Sequence, residues 1–541
     1  MSRARDRLRA TAAEHFGWTE LRPEQLQAME ALTDGRDALV VLPTGAGKSA
    51  VYQVPAVLLP GPTVVVSPLL ALQHDQVQGL AGRDDREVDA VRLTSGQRAA
   101  ERDEAFDRLG QGDAEFVYLA PEQLRDPARV ERLAALGPSL VAVDEAHCVS
   151  MWGHDFRPDY LRLGEFVDAV GRPPVVAVTA TASPPVRRDI VEHLGLRDPV
   201  VVTTGMDRPN LFLEARLCTD EDQRRARLRE AVTGLDGSGI VYTATRRGTG
   251  ELADDLRAAG VDTRAYHGGM RRGERDEVQR AFADGELRVV VATSAFGMGI
   301  DVGTIRWILH AALPDSPDTY VHEIGRAGRD GRPATALLLH RAEDTGIRRY
   351  FTTGPPREEE VGAVVRALGE AGTLGRSALR ERTGLGPRKL ARIVALLQQI
   401  HAVTTAPGDT VAHGPRVLGP DEAAAAARAE AERQRTVERS RIEMMLRYAQ
   451  AGGCRTSLLL GYFGEDLGPC GHCDNCAAGR ADDDATDRPH PVGSAVRHSE
   501  WGRGQVMDYE GDQLVVLFDD VGYKTLSVPL VTENDLLEPL P

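Results

Sequence analysis

No apolar run in this 541-residue chain approaches the ~20 residues that a bilayer-spanning helix needs. A membrane role is therefore not expected. The basic N-terminal stretch, residues 1–11, lacks an apolar centre and does not read as a secretory signal, so the cytoplasm is the expected location. Basic charge is also in short supply: 65 Lys and Arg face 81 Asp and Glu, and the net charge is −16. A protein that coats nucleic acid nonspecifically needs the opposite balance, although a local basic channel remains compatible. Cysteine is scarce, with six in all. Cys148 and Cys218 stand alone, whereas Cys454, Cys470, Cys473 and Cys476 cluster. In a cytosolic chain such a cluster points to metal rather than to disulfides. Aromatics make up only 5%, so a tight group of them carries information. No long-period repeat is present.

What is there reads as a soluble globular protein, 42% hydrophobic and 27% charged, long enough for roughly three to five domains. Apolar strand-like runs alternate with helical stretches from residue 15 to about 205, at Ala38–Leu42, Thr63–Ser67, Glu115–Leu119, Leu140–Val143 and Val175–Thr179. The alternation resumes over 208–340, with Gly239–Thr243, Leu287–Ala292, Ile305–His310 and Ala334–Leu339. Each half predicts an α/β, doubly wound parallel sheet, and two in tandem predict a nucleotide cleft between them. The expected organisation is lobe 1 over 1–205, lobe 2 over 206–350, a winged-helix-like segment over 356–416, and a long helix with the four-cysteine module over 417–478. A linker at 479–491 and a small SH3- or Tudor-like β-barrel at 492–541 complete it.

The phosphate site is legible. Thr44-Gly45-Ala46-Gly47-Lys48-Ser49 follows a strand and opens a helix. Its glycines let backbone N–H groups cradle phosphate, Lys48 is placed for the β/γ-phosphates of ATP, and the Ser49 hydroxyl for Mg²⁺. Asp144 and Glu145 close a buried apolar run. Asp144 suits Mg²⁺ through water and Glu145 suits the attacking water. His147 reads either as a link from the γ-phosphate to lobe 2 or as a structural histidine; following Asp-Glu-Ala, the first is preferred. In lobe 2, Arg326 and Arg329 stand three apart, which on a helix puts them on one face as candidate cations for the transferred phosphoryl group. Within twelve residues of Glu145, the stretch with Trp152, His154, Phe156 and Arg157 suits base stacking and phosphate contact. A hydrolytic pair beside a strand sensor is the layout of a nucleotide-driven motor.

Together these motifs resemble the RecQ family of superfamily 2 DNA helicases, from about Phe16 to Gly331 and again at the cysteines. The resemblance implies RecA-like lobes and ATP-driven 3′→5′ movement on single-stranded and partial-duplex DNA, usually with unwinding. Phe16-Gly17-Trp18 and Leu21-Arg22-Pro23-Glu24-Gln25 look like the family's adenine-reading motif, with Trp18 and Arg22 packing on the base and Gln25 bonding its edge. Gly153-His154-Asp155-Phe156-Arg157-Pro158 matches its aromatic-rich loop. The Arg208-Pro209-Asn210-Leu211 and Thr179-Ala180-Thr181-Ala182 stretches match further blocks. Leu42 stands where general phosphate loops have Gly, and the Thr-Gly-x-Gly-Lys-Ser form is the one helicases use. Two departures stand out. His322 occupies a position where the family usually has Gln. The winged-helix-like segment precedes the cysteines instead of following them, and the family's helical accessory domain is absent. Repair or recombination, beside the nucleoid, is the expected setting.

Cys454, then fifteen residues, then Cys470-x₂-Cys473-x₂-Cys476 suits tetrahedral Zn²⁺ and resembles the family's zinc module. An iron–sulfur cluster is the rival, and His472 is a spare ligand. Arg388, Lys389 and Arg392 of the winged-helix-like segment suit duplex DNA, with a structural spacer the equal alternative. The C-terminal strands, with His498, Trp501 and the acidic Glu510, Asp512, Asp519 and Asp520, resemble the Tudor-like tail of UvrD-type helicases. That resemblance implies a protein-docking module for RNA polymerase or a repair protein. The remaining alternatives are a DNA-stimulated translocase without strand separation, an ATP-switched DNA-binding adaptor, and an RNA helicase.

Overall fold

The computed structural model describes residues 3–68, 88–94, 96–150, 157–205, 207–297, 303–344, 346, 354–406, 410–465, 468–480 and 488–540. Among the described residues, lobe 1 holds seven strands: β1 (Ala38–Val41), β2 (Thr63–Val66), β3 (Ala90–Leu93), β4 (Phe116–Leu119), β5 (Leu140–Val143), β6 (Val175–Thr179) and β7 (Val200–Thr203). They lie in the order β3-β4-β2-β5-β6-β1-β7, every pair parallel. The central strands are Val- and Leu-rich and fully buried, as a sheet covered by helices on both faces requires.

Lobe 2 repeats the plan with β8 (Leu211–Leu217), β9 (Ser238–Tyr242), β10 (Thr263–Tyr266), β11 (Val289–Ala292), β12 (Ile305–His310) and β13 (Ala334–His340). Their order is β10-β11-β9-β12-β13-β8, again parallel throughout. The two tandem α/β lobes expected from the alternation are present. Four strands had no counterpart among the apolar runs: β3, β7, β8 and β10, which are the outer strands of the two sheets.

Beyond lobe 2 come helices Glu358–Ala371, Arg376–Thr383 and Pro387–Gln399, with β14 (Thr373–Gly375) after the first and β15 (Val403–Ala406) and β16 (Thr410–His413) after the third. These strands form an antiparallel sheet in the order β14-β16-β15. The turn residues Pro407, Gly408 and Asp409 lie outside the described residues. The 31-residue helix Pro420–Gln450 follows, then the cysteine module. The C-terminal strands β17 (Ala495–His498), β18 (Gly502–Glu510), β19 (Gln513–Phe518), β20 (Gly522–Ser527) and β21 (Leu537–Pro539) pair antiparallel in the order β20-β19-β18-β17-β21.

This C-terminal sheet is not a free tail. Met507, Val515, Leu517 and Tyr523 share one buried cluster with Val437 and Met444 of the long helix, with Tyr462 and Phe463, and with Val186 and Ile190 of lobe 1. Tyr523 stacks on Tyr462 at 4.8 Å, and Asp519, one of the acidic loop residues, pairs with Arg188 of lobe 1 at 2.6 Å. The other side of the long helix packs on lobe 2, where Ile442, Met445 and Tyr448 join Leu211, Leu213 and Tyr320.

Candidate active site

The phosphate loop follows β1 and opens helix Ala50–Leu58. Gly45 and Gly47 adopt φ of +83° and +74°, a region that a side chain enters only with strain. Lys48 Nζ donates to the Leu42 carbonyl at 3.3 Å. Burial lowers the Lys48 pKa, the Glu145 and Asp144 carboxylates raise it, and the Arg329 cation lowers it. These four charges, three from lobe 1 and one from lobe 2, therefore act on one another.

Asp144 leaves the end of β5 and is 5% exposed. Glu145 turns sharply at φ +48°, an uncommon conformation for a residue with a side chain and a frequent one at functional sites. Its Oε2 comes within 3.3 Å of His147 Nδ1. The same nitrogen lies 2.9 Å from Thr179 Oγ1 at the end of β6. Burial, then the cations of Lys48, Arg157 and Arg441, push His147 down to about 3, so the imidazole is neutral at physiological pH. Its ring faces His322 of lobe 2 at 6.4 Å, so the residue at the expected Gln position lies on the interlobe side.

Of the adenine-side candidates, Gln25 reaches the same loop. Phe16 and Trp18 stack at 4.7 Å, Trp18 is half-buried and Arg22 exposed. Gln25 is buried. Its amide donates to the carbonyls of Ala46 at 3.1 Å and Gly47 at 3.0 Å, and its Oε1 accepts from Arg22 N at 2.8 Å. Gln25 thus braces the phosphate loop from behind.

The lobe 2 arginines are arranged differently from the helix expectation. Helix Pro317–Ile324 stops at Gly325, and Arg326 and Arg329 lie in the turns that follow. They do not share a face. Arg326 is 4% exposed and donates to the Gly297 carbonyl inside lobe 2. Arg329 lies over the phosphate loop, where a Cβ added to Gly45 would sit 3.6 Å from its Cγ. Arg208 and Asn210 hold the turn. Arg208 Nη2 donates to Ala327 O and Gly328 O, both at 2.8 Å, and Asn210 Nδ2 donates to Gly328 O at 2.8 Å and Arg332 O at 2.9 Å. This bracing was not readable from the Arg-Pro-Asn-Leu stretch, whose only signal was its match to a family block.

Of the candidate strand sensor, Trp152, His154 and Phe156 lie outside the described residues. Arg157 is fixed by its backbone N–H to Cys148 O and by Nη1 to Pro68 O, each at 2.9 Å. Arg157 is thereby joined to the turn that carries His147.

The four cysteine sulfurs lie within 4.8 Å of one another, and Cys470 and Cys476 are 3.9 Å apart. Tetrahedral Zn–S bonds of about 2.3 Å imply sulfurs about 3.8 Å apart, so the set fits. Backbone N–H groups of Ser457, Cys470, His472 and Cys476 point at the sulfurs at 3.3–3.5 Å, the outer-shell donors that thiolates attract. His472 is not among the ligands. Its Nδ1 lies 2.7 Å from Cys470 O and its Nε2 3.2 Å from Asp207 between the lobes.

Three family models match: DEAD/DEAH box helicase over 22–189, helicase conserved C-terminal domain over 223–331, and RecQ zinc-binding over 421–477. The probable ATP-dependent DNA helicase RecS of Bacillus subtilis is 36% identical over 399 residues, 73% of this chain and 79% of that protein. ATP-dependent DNA helicase RecQ of Synechocystis is 34% identical over 488 residues, 86% of this chain and 97% of that protein. The chain belongs to the RecQ family of ATP-dependent DNA helicases. Other helicase relatives are longer, and the chain spans 33–59% of their length. Among solved structures, the helicase MrfA bound to DNA superposes with a TM-score of 0.52 at 18% identity, over 78% of this chain and 64% of that one. That likeness supports the two-lobe fold alone. The RecQ zinc-binding match takes in both the long helix and the cysteines, so zinc, not an iron–sulfur cluster, is the metal of this module. Residues 354–413 intervene between the helicase C-terminal match and the zinc-binding match. No helix among the described residues is long and apolar enough to cross a membrane.

Proposed function

We propose that this RecQ-family helicase hydrolyses ATP between Lys48, Asp144 and Glu145 of lobe 1 and Arg329 of lobe 2, and couples turnover to 3′→5′ movement along single-stranded DNA with strand separation. The observation that carries this reading is Arg329 of lobe 2 lying against Gly45 of the lobe 1 phosphate loop. A cation delivered from the opposite lobe makes turnover depend on lobe closure. Ser49 and Asp144 would hold Mg²⁺, which supplies charge neutralisation at the phosphates. Glu145 would orient the attacking water, and His147, neutral and bonded to Thr179, would carry the state of that site toward His322. Trp18, Arg22 and Gln25 would recognise the base. Arg326 takes a supporting role in this reading, since its guanidinium is committed to Gly297.

Trp152, His154, Phe156 and Arg157 are proposed to sense DNA, supported by the tie between Arg157 and the His147 turn. Residues 356–416 are proposed as a winged helix, supported by three helices and a β14-β16-β15 sheet. Arg392 donates to Gly354 O at 2.7 Å and Lys389 pairs with Glu360 at 2.8 Å, so Arg388, which is exposed, is the better duplex contact of the three. Residues 492–541 are proposed as a small barrel. With one face packed on the long helix, a protein partner such as RNA polymerase or a repair factor would meet the opposite face, near Trp501 and Lys524. The bacterial relatives support a cytoplasmic, nucleoid-side setting in DNA repair or recombination.

The test is ATPase turnover with and without single-stranded DNA, alongside strand displacement on a 3′-tailed duplex. Trp152→Ala should keep basal ATPase and lose its stimulation by DNA. DNA-independent turnover in the unmodified protein would sink the coupling. Turnover without displacement would leave a translocase.

A further inference from the structure

Arg441 belongs to the long helix of the zinc region, yet its side chain enters the contact between that helix and lobe 2. It is 7% exposed, and its Nη2 lies 3.4 Å from Asp318 Oδ2, itself almost fully buried. Tyr462 donates its hydroxyl to the same carboxylate oxygen. Tyr523 of the C-terminal sheet covers Tyr462, stacking on its ring and donating to its carbonyl at 3.4 Å. Two separate parts of the chain thus meet at one carboxylate of lobe 2, and a third covers one of them.

Asp318 stands in the first turn of helix Pro317–Ile324. The last turn of that helix runs directly into Gly325 and the turns that carry Arg326 and Arg329. Eight residues of helix span about 12 Å, so a grip on the first turn fixes the angle at which the last meets the phosphate loop. Arg441 is also among the cations that depress His147 in lobe 1. The same guanidinium is therefore felt on both sides of the cleft.

We infer that Arg441 is a positioning residue for ATP hydrolysis: through Asp318 and Tyr462 it sets the helix whose end aims Arg329 at the phosphate loop. This rests on the proposed role of Arg329. Replacing both members of a buried ion pair by apolar residues is often tolerated, but removing one leaves the other charge buried and unpaired and is strongly destabilising. Arg441→Lys and Tyr462→Phe, which keep the pair with Asp318, therefore separate a positional role in turnover from a structural one.

The test uses the full-length, zinc-loaded protein with saturating single-stranded DNA. Variants Arg441→Met, Arg441→Lys and Tyr462→Phe are compared in kcat and in KM for ATP, with zinc content and Tm recorded alongside. Arg441→Met should lower kcat about tenfold or more while KM for ATP stays within about twofold, because displacing a group that orients a reacting one costs turnover more than binding. Arg441→Lys should recover most of the loss. Tyr462→Phe, which removes only the hydroxyl, should lower kcat by a smaller factor with zinc retained. The proposal is overturned by an unchanged kcat in Arg441→Met, by a Lys variant as slow as the Met variant, or by a rise in KM alone. If Arg441→Met does not fold, an unchanged kcat in Tyr462→Phe overturns it. Arg329→Ala separates the two ideas. Full turnover in that variant removes both, whereas its loss beside a normal Arg441→Met removes the positional role alone.

Discussion

Lobe 1 and lobe 2 share one architecture but hold their chemistry in opposite ways. Lobe 1 carries its proposed reactive groups at the carboxyl ends of its own strands: Lys48 after β1, Asp144 and Glu145 after β5. Their braces also come from lobe 1, with His147 on Thr179 and Tyr160 donating to Asp144 O at 3.0 Å. Lobe 2 contributes a turn rather than a strand end. That turn is gripped by Arg208 and Asn210 at its carbonyls, by Arg326 on Gly297, and by the helix before it through Asp318. One lobe presents groups at its strand ends, the other a cation on a braced turn. Electrostatic stabilisation is strongest where its donors are held in place beforehand, and the dense grip on so short a turn holds Arg329 in that way.

The comparison breaks most clearly at Arg329. Arg329→Ala should lower ATPase kcat by about 10³ or more, the usual contribution of such a cation, with nucleotide binding retained by lobe 1. Equilibrium binding of a fluorescent ATP analogue beside steady-state turnover checks this. Turnover close to that of the unmodified protein would mean that lobe 1 suffices alone.

Next in size is the zinc module, which is fused to the lobe 2 edge. Cys473 forms a β-bridge with Leu213 of β8, and Ala215 N donates to Asp474 at 3.2 Å. Structural zinc sites supply about 10–16 kcal/mol of apparent binding energy at neutral pH, and that energy is folding energy. Cys473→Ser should therefore lose zinc and solubility, and speed amide exchange in β8 while β5 of lobe 1 keeps its protection. Full zinc content, or equal loosening of both lobes, would contradict the asymmetry. Arg208→Ala is the milder probe of the same lobe. It removes the guanidinium from the turn carbonyls and leaves Arg329 present, so kcat should drop about tenfold, the scale of a slightly misplaced group, with zinc unchanged.

The same asymmetry governed what could be read from residues alone. The phosphate loop, the Asp144–Glu145 pair and the cysteine spacing were legible because each is a local pattern whose geometry follows from a strand end or from metal valence. The central strands were legible as continuous apolar runs. β3, β8 and β10 were not, because an outer strand is packed on fewer sides and needs fewer apolar residues; β10, Thr-Arg-Ala-Tyr, shows it. β7, Val-Val-Val-Thr, is as apolar as a central strand and was missed all the same, although only one of its four residues is buried. The helix expected under Arg326 and Arg329 failed at Gly325, where tertiary bonds from Arg208 hold the backbone in turns. Arg441 gave no signal at all, since its partner lies 123 residues away in sequence.

The smallest effect isolates lobe 1 by pH. His147 is held down to about 3 by burial and by neighbouring cations, against about 6.5 for an unperturbed imidazole. As pH falls below 6.5 the unfolded chain takes up this proton and the folded chain does not. Stability is therefore fully present above pH 6.5 and is lost progressively toward pH 3, by at most about 1.4 kcal/mol per pH unit for one proton. Buried Asp189 and Asp318, whose pKa values burial raises, act in the opposite direction near their own range, so the slope of the unmodified protein is a composite. The difference between that protein and His147→Asn removes the shared terms. Asn keeps a polar group near Thr179 but does not titrate, so its unfolding midpoint should fall less steeply between pH 6.5 and 5. Parallel curves would mean that the His147 pocket admits a proton, and that lobe 1 is less rigidly preformed than its bonding indicates.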